Sequence, residues 1–572
     1  MIKDIKAYFT THKNATIITT YILNVLFWVI VAFLLFVSSY GSGQWMLYQN
    51  THDHHLAFFL FLSGMAAEGI IPGVDFYSPH SVFIPIVNSI FLKIFGINQI
   101  NLAIFVGGVS VLISFICAYK TARFVMPSIW AKFAIVTILI SYNGDDLPWF
   151  NHIFSMFIAM GIYFLVAYIK HKKNWYLIAL GFVCFCLPYL RQQGLVTLAC
   201  FLLVPMILYY INAIPQYVYK TILKYILGTF LLCNIIFLLF IVARNGFEGL
   251  EILYSSFMPL VSMAQPLQAY PADFGLMAAK IFNYTSNGYS WHNARIMLYL
   301  SYYMIFILPC IYYAFRPLIL YANKEAILNE DIIKFITAVL MLSTLVLNYP
   351  IQEDARMKVH FTAGAWLFVD VLYLTIYKKS CTKSAKFMSI LTIAVIFIFI
   401  HNLKMRQYNE AFAWNFYNKL LRTKQMHIKM PSNTPYANLI LSKDYAEKKL
   451  NIINILNDYM DKNPDKKIIF DGDIENAEQF LSLLFTRDNV AIAHKFPYYY
   501  SYYNREDFMP DINEKLSDYV DKNKPIILGC KDNYISHKYN QAQTTITDKV
   551  SGYEVLVNLN EFCDIFIPKG TK

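Results

Sequence analysis

The stretch QNTHDHHLAFF (49–59) places one carboxylate, Asp53, among three imidazoles, His52, His54 and His55. A carboxylate beside imidazoles can act as a general base or can hold a divalent metal ion. Histidines at positions i, i+2 and i+3 do not all share one face of a helix, which favours the base over the metal site. We therefore expect no cofactor to be required, with a divalent metal as the alternative, and we expect His54 and His55 to orient the acid or a bound hydroxyl group.

The elements that must position Asp53 are membrane helices. The chain has 572 residues, of which 57% are hydrophobic and only 15% are charged, whereas soluble domains carry about 25% charged residues. An acid at the end of a membrane span is costly unless it faces water or the protein interior, so Asp53 is a functional candidate. The formal net charge is +11, and in membrane proteins an excess of positive charge usually lies in the cytoplasmic loops. The sequence contains no basic patch with interleaved aromatic residues that would indicate nucleic-acid binding.

Eleven apolar segments predict about eleven membrane spans. They lie near 16–39, 101–119, 129–142, 153–169, 175–190, 195–212, 221–243, 296–315, 332–349, 362–377 and 387–402. The first is too long for a cleaved signal peptide and lacks a cleavage site. The segment 82–96 is short and contains Pro85 and Lys93, so we expect it to lie in the membrane surface. This count places the short Lys- and Arg-rich loops and the N-terminus in the cytoplasm, and the C-terminus outside.

The chain divides into a transmembrane catalytic domain over 1–402, with its first outer loop at 40–100, and a soluble C-terminal α/β domain over 403–572. Strand-like segments at 466–470, 489–494, 524–530, 553–559 and 563–568 follow or alternate with helical patterns at 442–460, 475–486 and 510–522. The stretch PYYYSYYN (497–504) suits either a sugar-stacking surface or an interface with the membrane domain. If this domain is extracytoplasmic, Cys530 and Cys563 could pair.

The first outer loop contains, in order, an acid, a helix, a second acid before a proline, and an apolar helix ending in FG. HDHHL, EGIIPGVDFYSPHS and IFLKIFG carry these features. The pattern resembles the first outer loop of the GT-C glycosyltransferases, in the branch of protein O-mannosyltransferases and lipid A aminoarabinose transferases. The resemblance implies that Asp53 matches the catalytic acidic position and Asp75 the second one. Many relatives have Asp-Glu or Asp-Asp where this chain has Asp53-His54, so both Asp53 and Asp75 are candidates for the catalytic residue.

Three further segments resemble the same family, and the predicted topology places them at the outer face of the membrane as well. They are NGDDLPWFNH at the outer end of the third span, LPYLRQQGL (187–195) between two spans, and EDARMKVHF (353–361). The second and third place Arg191 and Arg356 at basic positions of the family's motifs. The residues predicted to bind substrate are His54, His55, His80, Asp145, Asp146, Gln192 and His360.

Basic residues in the outer segments lead to a similar conclusion without the family. Outer loops should be poor in Lys and Arg, but this topology keeps Lys93, Arg191, Arg244, Lys280, Arg295, Arg356 and Lys358 outside. Binding a lipid-linked phosphate would explain them, and a guanidinium can clasp a phosphate with two hydrogen bonds. We predict that Arg191, Arg356 and Lys93 bind the donor phosphate. Pairing of the arginines with acids such as Asp53 or Asp75 is the alternative.

The resemblance implies a membrane glycosyltransferase of the bacterial inner membrane with a periplasmic C-terminal domain. It would transfer a sugar from a polyprenyl-phosphate donor to a hydroxyl group of a glycan, lipid or protein acceptor at the periplasmic face, and membrane lipids would surround it. A general base would deprotonate the acceptor while cations stabilise the departing phosphate, which suits an inverting displacement. The alternatives are a transporter or flippase for lipid-linked glycans, and a polysaccharide polymerase or ligase. The sequence shows no half-to-half repeat of the kind common in transporters, and the acidic first loop argues against a polymerase.

Overall fold

The structure of the chain is a computed structural model. It describes residues 13–48, 54–76, 78, 81–141, 150–262, 291–344, 362–377, 428–429, 440–441, 443–472, 498–500, 518–530, 552–558 and 563–570. The described part before residue 378 is built of helices, and the described part after it carries a small sheet.

Most of the helices follow the apolar segments of the sequence. They are α1 (Lys13–Tyr48), α2 (His54–Ala67), α3 (Phe83–Phe95), α4 (Gln99–Ala122), α5 (Ser128–Ser141), α6 (Phe150–His171), α7 (Trp175–Leu190), α8 (Gly194–Tyr210), α9 (Gln216–Ser262), α10 (Trp291–Ala322), α11 (Asn329–Ser343) and α12 (Trp366–Leu372). The first ten predicted spans each coincide with one of these helices, with α12 continuing as a π-helical turn, Tyr373–Tyr377. The eleventh, near 387–402, lies outside the described residues, so the number of spans stays a prediction.

Helix surfaces indicate that the protein sits in a membrane. Three described helical stretches are long and apolar enough to cross one: Gln99–Ala122, Asn151–His171 and Gln216–Ser256. Only 11% of the most apolar part of the third is buried, and Leu232, Ile236 and Leu239 are more than half exposed on it. An apolar surface of this extent is stable against lipid and unfavourable against water. The second stretch is 83% buried and therefore forms the centre of the bundle.

Helix α3 has the features of a helix that lies in the membrane surface. Its 13 residues rise about 20 Å, which is less than the roughly 30 Å thickness of a hydrocarbon core. It buries Phe83 and Leu92 but exposes Ile90, Ile94 and Phe95, with the exposed Lys93 among them. An exposed apolar side that also carries a lysine is compatible with the boundary between lipid tails and headgroups, and the surface position of 82–96 stays a prediction.

Buried polar side chains join α10, α11 and α12. The Nζ atom of Lys334 lies 2.7 Å from Oδ2 of Asp370, and the hydroxyl of Tyr313 donates to the same oxygen. These three side chains are almost completely buried. Arg316 Nε lies 2.8 Å from Asp331 Oδ1 in a second pair between α10 and α11. Breaking a buried pair leaves a charge without its partner, so these contacts fix the three helices relative to one another.

The C-terminal part contains a mixed five-stranded sheet in the order β4-β3-β5-β7-β6. Its strands are β3 (Ile468–Gly472), β4 (Tyr498–Tyr500), β5 (Ile526–Cys530), β6 (Tyr553–Asn558) and β7 (Cys563–Pro568), and a short pair, β1 (Ile428–Lys429) and β2 (Ile440–Leu441), precedes them. Strand β3 runs parallel to β4 and β5, whereas β7 runs antiparallel to β5 and β6. Helix α13 (Lys443–Lys462) leads into β3, and helix plus mixed sheet agree with the α/β prediction for this part.

Four of the five predicted strands coincide with strands of this sheet, namely 466–470, 524–530, 553–559 and 563–568. The fifth, 489–494, and the helical pattern at 475–486 lie outside the described residues. The edge strand Tyr498–Tyr500 comes from PYYYSYYN, a stretch that was predicted only as a surface or an interface. Aromatic side chains are favourable in strands, so its composition suits this position.

Candidate functional site

Asp75 attaches the predicted first outer loop (40–100) to helix α9. The residue is 3% exposed, and its Oδ1 and Oδ2 atoms lie 2.6 Å from Arg244 Nε and 2.7 Å from Arg244 Nη2. Asn245 Nδ2 donates to Oδ1 at 2.8 Å, and the backbone N–H of Ile71 donates to Oδ2 at 2.5 Å. The carboxylate therefore accepts four hydrogen bonds, two of them from one guanidinium in the bidentate geometry of strong ion pairs.

A glycine shapes α9 at this attachment. Gly246 follows Arg244 and Asn245 with φ 63° and ψ −153°, a conformation open essentially to glycine alone. No atom lies within 4 Å of the position that a Cβ would take there, so the backbone conformation, not crowding, requires glycine. Beyond this break, Ser256 Oγ accepts a 3.0 Å hydrogen bond from the backbone N–H of Ser78. The loop is thus held on both sides of the break in α9.

The same loop also contacts the turn between α7 and α8. Ser81 Oγ donates to the backbone oxygen of Tyr189 at 2.8 Å, and the rings of Phe83 and Tyr189 have centroids 5.0 Å apart. Arg191 follows two residues later, in the turn itself. These contacts place Asp75 and Arg191 at the same end of the helix bundle.

Arg191 lies beside a buried amide at the start of α6. Its Nη1 atom donates to Oδ1 of Asn151, a fully buried residue. The Nδ2 group of Asn151 has no hydrogen-bond partner among the described residues. Arg191 also lies three residues before Gly194, the first residue of α8, and the N-terminal end of a helix carries a partial positive charge. A guanidinium, an unused amide donor and a positive helix end together suit the binding of an anion.

Gly194 keeps the Arg191 turn tight. A Cβ at this position would lie 2.2 Å from the backbone oxygen of Leu187, so any side chain would push α7 and α8 apart. The backbone N–H of Gly194 donates to the oxygen of Arg191 at 2.8 Å. Close packing of the backbone therefore requires a glycine at position 194 of the predicted LPYLRQQGL turn.

The C-terminal end of α11 reaches the same region. Ser343 Oγ donates to Thr197 Oγ1 at 3.4 Å, which joins the end of α11 to the beginning of α8. The segment 345–361, with its predicted residues Arg356 and His360, follows directly in the sequence and lies outside the described residues.

The structure tests the arrangement of only some predicted residues. Gln192 follows Arg191 in the turn and is half-buried like it. Lys93 is exposed on α3, ten residues or about 15 Å of helix after Phe83, and its role at the donor phosphate stays a prediction. His54 and His55 begin α2, but their side chains are not described. The other predicted residues, Asp53, His80, Asp145, Asp146, Arg356 and His360, lie outside the described residues.

Several residues of this region were not predicted from the sequence. Arg244 was noted as a cation in an outer segment but not as the partner of Asp75, and Asn245, Asn151 and Ser256 were not singled out. The run Arg244-Asn245-Gly246 could have identified this attachment site from the sequence, because a cation, an amide and a helix-breaking glycine follow a long apolar segment there.

No group of three or more His, Cys, Asp or Glu side chains that could hold a metal ion occurs in the part of the chain that the structure describes. The described part does not include the side chains of the cluster at 52–55. A reaction without a metal therefore stays a prediction.

No protein-family model and no curated protein matches the chain. Among solved structures it is similar to the apo oligosaccharyltransferase of Archaeoglobus fulgidus, with 10% identity, 88% of this chain and 69% of that chain covered, and a TM-score of 0.47. The same enzyme in complex with an inhibitory peptide and a dolichol-phosphate matches with 11% identity, the same coverage and a TM-score of 0.46. ArnT from Cupriavidus metallidurans in the apo state matches with 10% identity, 96% of this chain and 98% of that chain covered, and a TM-score of 0.45.

These neighbours are GT-C glycosyltransferases. The similarity lies in the course of the chain and carries no residue assignments.

Proposed function

We propose that the chain is a glycosyltransferase that transfers a sugar from a polyprenyl-phosphate donor to an acceptor hydroxyl at the outer face of a bacterial inner membrane. The observation that carries the proposal is the position of the Arg191–Asn151 pair at the same end of the bundle as the acidic first loop. The reaction needs a group that binds phosphate and a carboxylate that accepts a proton. Arg191 is the proposed phosphate-binding group, and the first outer loop carries the candidate carboxylates.

Arg191 is proposed to bind the donor phosphate. When the bond from the sugar to the phosphate breaks, negative charge builds on the phosphate oxygens, and a half-buried cation stabilises that charge more strongly than water does. The unused Nδ2 donor of Asn151 and the N-terminal end of α8 would add to this stabilisation. Arg356, predicted from its motif, is the proposed second cation.

Asp53 is proposed as the general base, with Asp75 in a positioning role. A carboxylate has about four lone-pair sites. On Asp75 these sites already accept four hydrogen bonds, two from Arg244 and one each from Asn245 and Ile71. This leaves no lone pair on Asp75 for the proton of an acceptor hydroxyl. Asp53, directly before α2, is the other candidate, and His54 and His55 are its neighbours in the sequence.

The proposed reaction is a single displacement. Asp53 takes the proton of the acceptor hydroxyl as its oxygen attacks the anomeric carbon. The bond between the anomeric carbon and the phosphate oxygen breaks at the same time, and Arg191 stabilises the polyprenyl phosphate that leaves. One displacement inverts the configuration of the anomeric carbon and needs neither a cofactor nor a covalent intermediate.

A transporter of lipid-linked glycans is the second candidate, and one observation favours it. The ion pair between Lys334 and Asp370 is buried among α10, α11 and α12, and transporters place charged groups in the interior of their membrane domains. The contact of Tyr313 with the same Asp370 oxygen indicates a structural pair, which is why we prefer the transferase.

The proposal is tested by transfer from radiolabelled polyprenyl-phosphate sugars in membranes that contain equal amounts of each variant. Asp53→Asn should lower the rate by about 10²- to 10⁴-fold, the usual contribution of a general base. Arg191→Ala should lower it by about 10²- to 10³-fold, as the loss of one oxyanion donor does. Glu68→Gln is the matched control, because Glu68 is an exposed acid of the same loop.

Parent-like transfer by both Asp53→Asn and Arg191→Ala would show that the proposed site is wrong. The orientation has its own test in reporter fusions after residues 98 and 173. We expect a periplasmic signal at 98 and a cytoplasmic signal at 173. A periplasmic signal at 173 would move Arg191 to the inner face and overturn the outer site.

A further inference from the structure

We propose that Cys530 and Cys563 form a disulfide bond that joins the parallel and antiparallel parts of the C-terminal sheet. The two cysteines are direct partners in the register of β5 and β7, following the pairs Leu528 with Ile565 and Gly529 with Asp564. They occupy the last residue of β5 and the first residue of β7.

The backbone register satisfies the requirements of a disulfide. Directly opposed residues of an antiparallel pair have Cα atoms about 4.5 or 5.5 Å apart, and disulfides join Cα atoms about 4.4–6.8 Å apart. Side chains of directly opposed residues also project from the same face of a sheet. Cys530 and Cys563 therefore need no backbone movement to be joined.

The described cysteines of the membrane helices differ from this pair. Cys117, Cys184, Cys186, Cys200, Cys233 and Cys310 are all free thiols. They lie within apolar helices, where cysteine serves as a small hydrophobic residue. Among the cysteines that the structure describes, Cys530 and Cys563 are the two that lie opposite each other on neighbouring strands.

The disulfide would fasten β6 and β7, which in the described sheet connect to the other strands only through the pairing of β7 with β5. Strand β6 pairs with β7, and β7 connects both to the rest of the sheet through β5. The connection 531–562 between the cysteines is long, and closing a long connection removes much conformational entropy from the unfolded chain. The disulfide should therefore stabilise the β6–β7 hairpin against detachment.

The oxidation requires a partner of defined chemistry. The thiolate of one cysteine attacks the disulfide of an oxidised thiol–disulfide oxidoreductase, and the second thiolate then attacks the resulting mixed disulfide. The sulfur–sulfur bond of the sheet forms, and two electrons and two protons end on the dithiol of the oxidoreductase. Such oxidation occurs outside the cytoplasm, so this inference rests on the outer location of the C-terminal domain.

The test uses the full-length chain in its own membranes. Free thiols are alkylated under denaturing conditions, with and without prior reduction, and the peptides that contain Cys530 and Cys563 are analysed by mass spectrometry. We expect a cross-linked peptide, no alkylation of either residue before reduction, and alkylation of both after it. Cys563→Ser should make Cys530 reactive without reduction, and Cys233→Ser should leave the cross-link intact. Alkylation of both residues in the parent without reduction would overturn the proposal.

Thermal unfolding of the same protein provides a second readout. Cys530→Ser, Cys563→Ser and the double variant should lower the melting temperature by the same amount, because each removes the one bond. Additive losses would indicate two separately packed thiols and would also overturn the proposal. Sugar transfer is a separate measurement on Asp53 and Arg191, so failure of the disulfide and failure of the proposed function are distinguishable.

Discussion

Replacing Asp75 by Asn tests the proposal that this residue positions the first outer loop and does not accept a proton. The substitution keeps the shape of the side chain but removes its charge, and it places an amide N–H₂ group among the N–H donors of Arg244, Asn245 and Ile71. Asp75 is 3% exposed, whereas the side chain of Arg244 is 35% exposed. Removing one partner of a fully buried pair costs about 3–5 kcal/mol. Because water reaches part of Arg244, we expect a smaller loss of about 2–3 kcal/mol.

The assay is the unfolding of purified protein in detergent, combined with a double-mutant cycle. Asp75→Asn and Arg244→Gln should each destabilise the protein, and the double variant should lose less than the sum of the two by at least about 1 kcal/mol, because neither charge remains. Glu68→Gln, which changes an exposed acid of the same loop, should be close to neutral. Additive losses, or an Asp75→Asn variant as stable as Glu68→Gln, would refute the ion pair.

Transfer activity separates positioning from catalysis in the same variants. If Asp75 positions the loop, the Asp75→Asn/Arg244→Gln double variant should recover part of the activity that Asp75→Asn loses. If Asp75 were the base, the double variant would stay as inactive as the single one, because the proton acceptor is still missing. Measured per folded molecule, Asp53→Asn should be the least active of these variants.

Three further substitutions test other parts of the structure. Gly246→Ala should cost about 1–3 kcal/mol in unfolding measurements because of its backbone conformation, whereas Gly228→Ala, in the same helix and with equally open surroundings, should cost nothing or slightly stabilise. Lys334→Met should sharply lower the amount of folded protein in membranes because Asp370 is left buried without its cation, and adding Asp370→Leu should restore it. Burial raises the pKa of Tyr553 above its ordinary value, so the sheet should lose stability as the pH rises above about 10, where the unfolded chain releases this proton first. Tyr553→Phe should weaken that pH dependence in circular dichroism, because burial also raises the pKa of Tyr519 in the same part of the chain.

Local patterns predicted most helices and the Arg191 turn because their signals lie within a few residues. Pro188 and Gly194 flank Arg191, and apolar runs on both sides predict α7 and α8. The pair between Asp75 and Arg244 spans 169 residues of sequence, and no local pattern identifies which cation approaches which acid. The hydrogen bond from Arg191 to the Asn151 amide was likewise not predicted, because it joins residues 40 positions apart in the sequence.

The buried cluster around Asp370 shows the same limit in the membrane interior. The run 362–377 was predicted as a span, and the single acid inside it was a visible signal that it has a partner. Its partner, Lys334, comes from another helix and contacts Asp370 together with Tyr313 from a third. Hydrophobic patterning predicts that these helices exist, but their mutual rotation decides which polar side chains meet.

The arrangement of Asp75 explains why one loop would carry two aspartates. A carboxylate that takes a proton from a substrate must keep a lone pair available, whereas a carboxylate that holds a loop in place must use its lone pairs on donors of the protein. Asp75 holds the loop beside the break in α9 at Gly246, and Ser78 and Ser81 extend the attachment to Ser256 and Tyr189. The loop is therefore attached both to α9 and to the end of α7, the helix that Arg191 directly follows. The proton transfer would then fall to an acid earlier in that loop, which is the role we propose for Asp53.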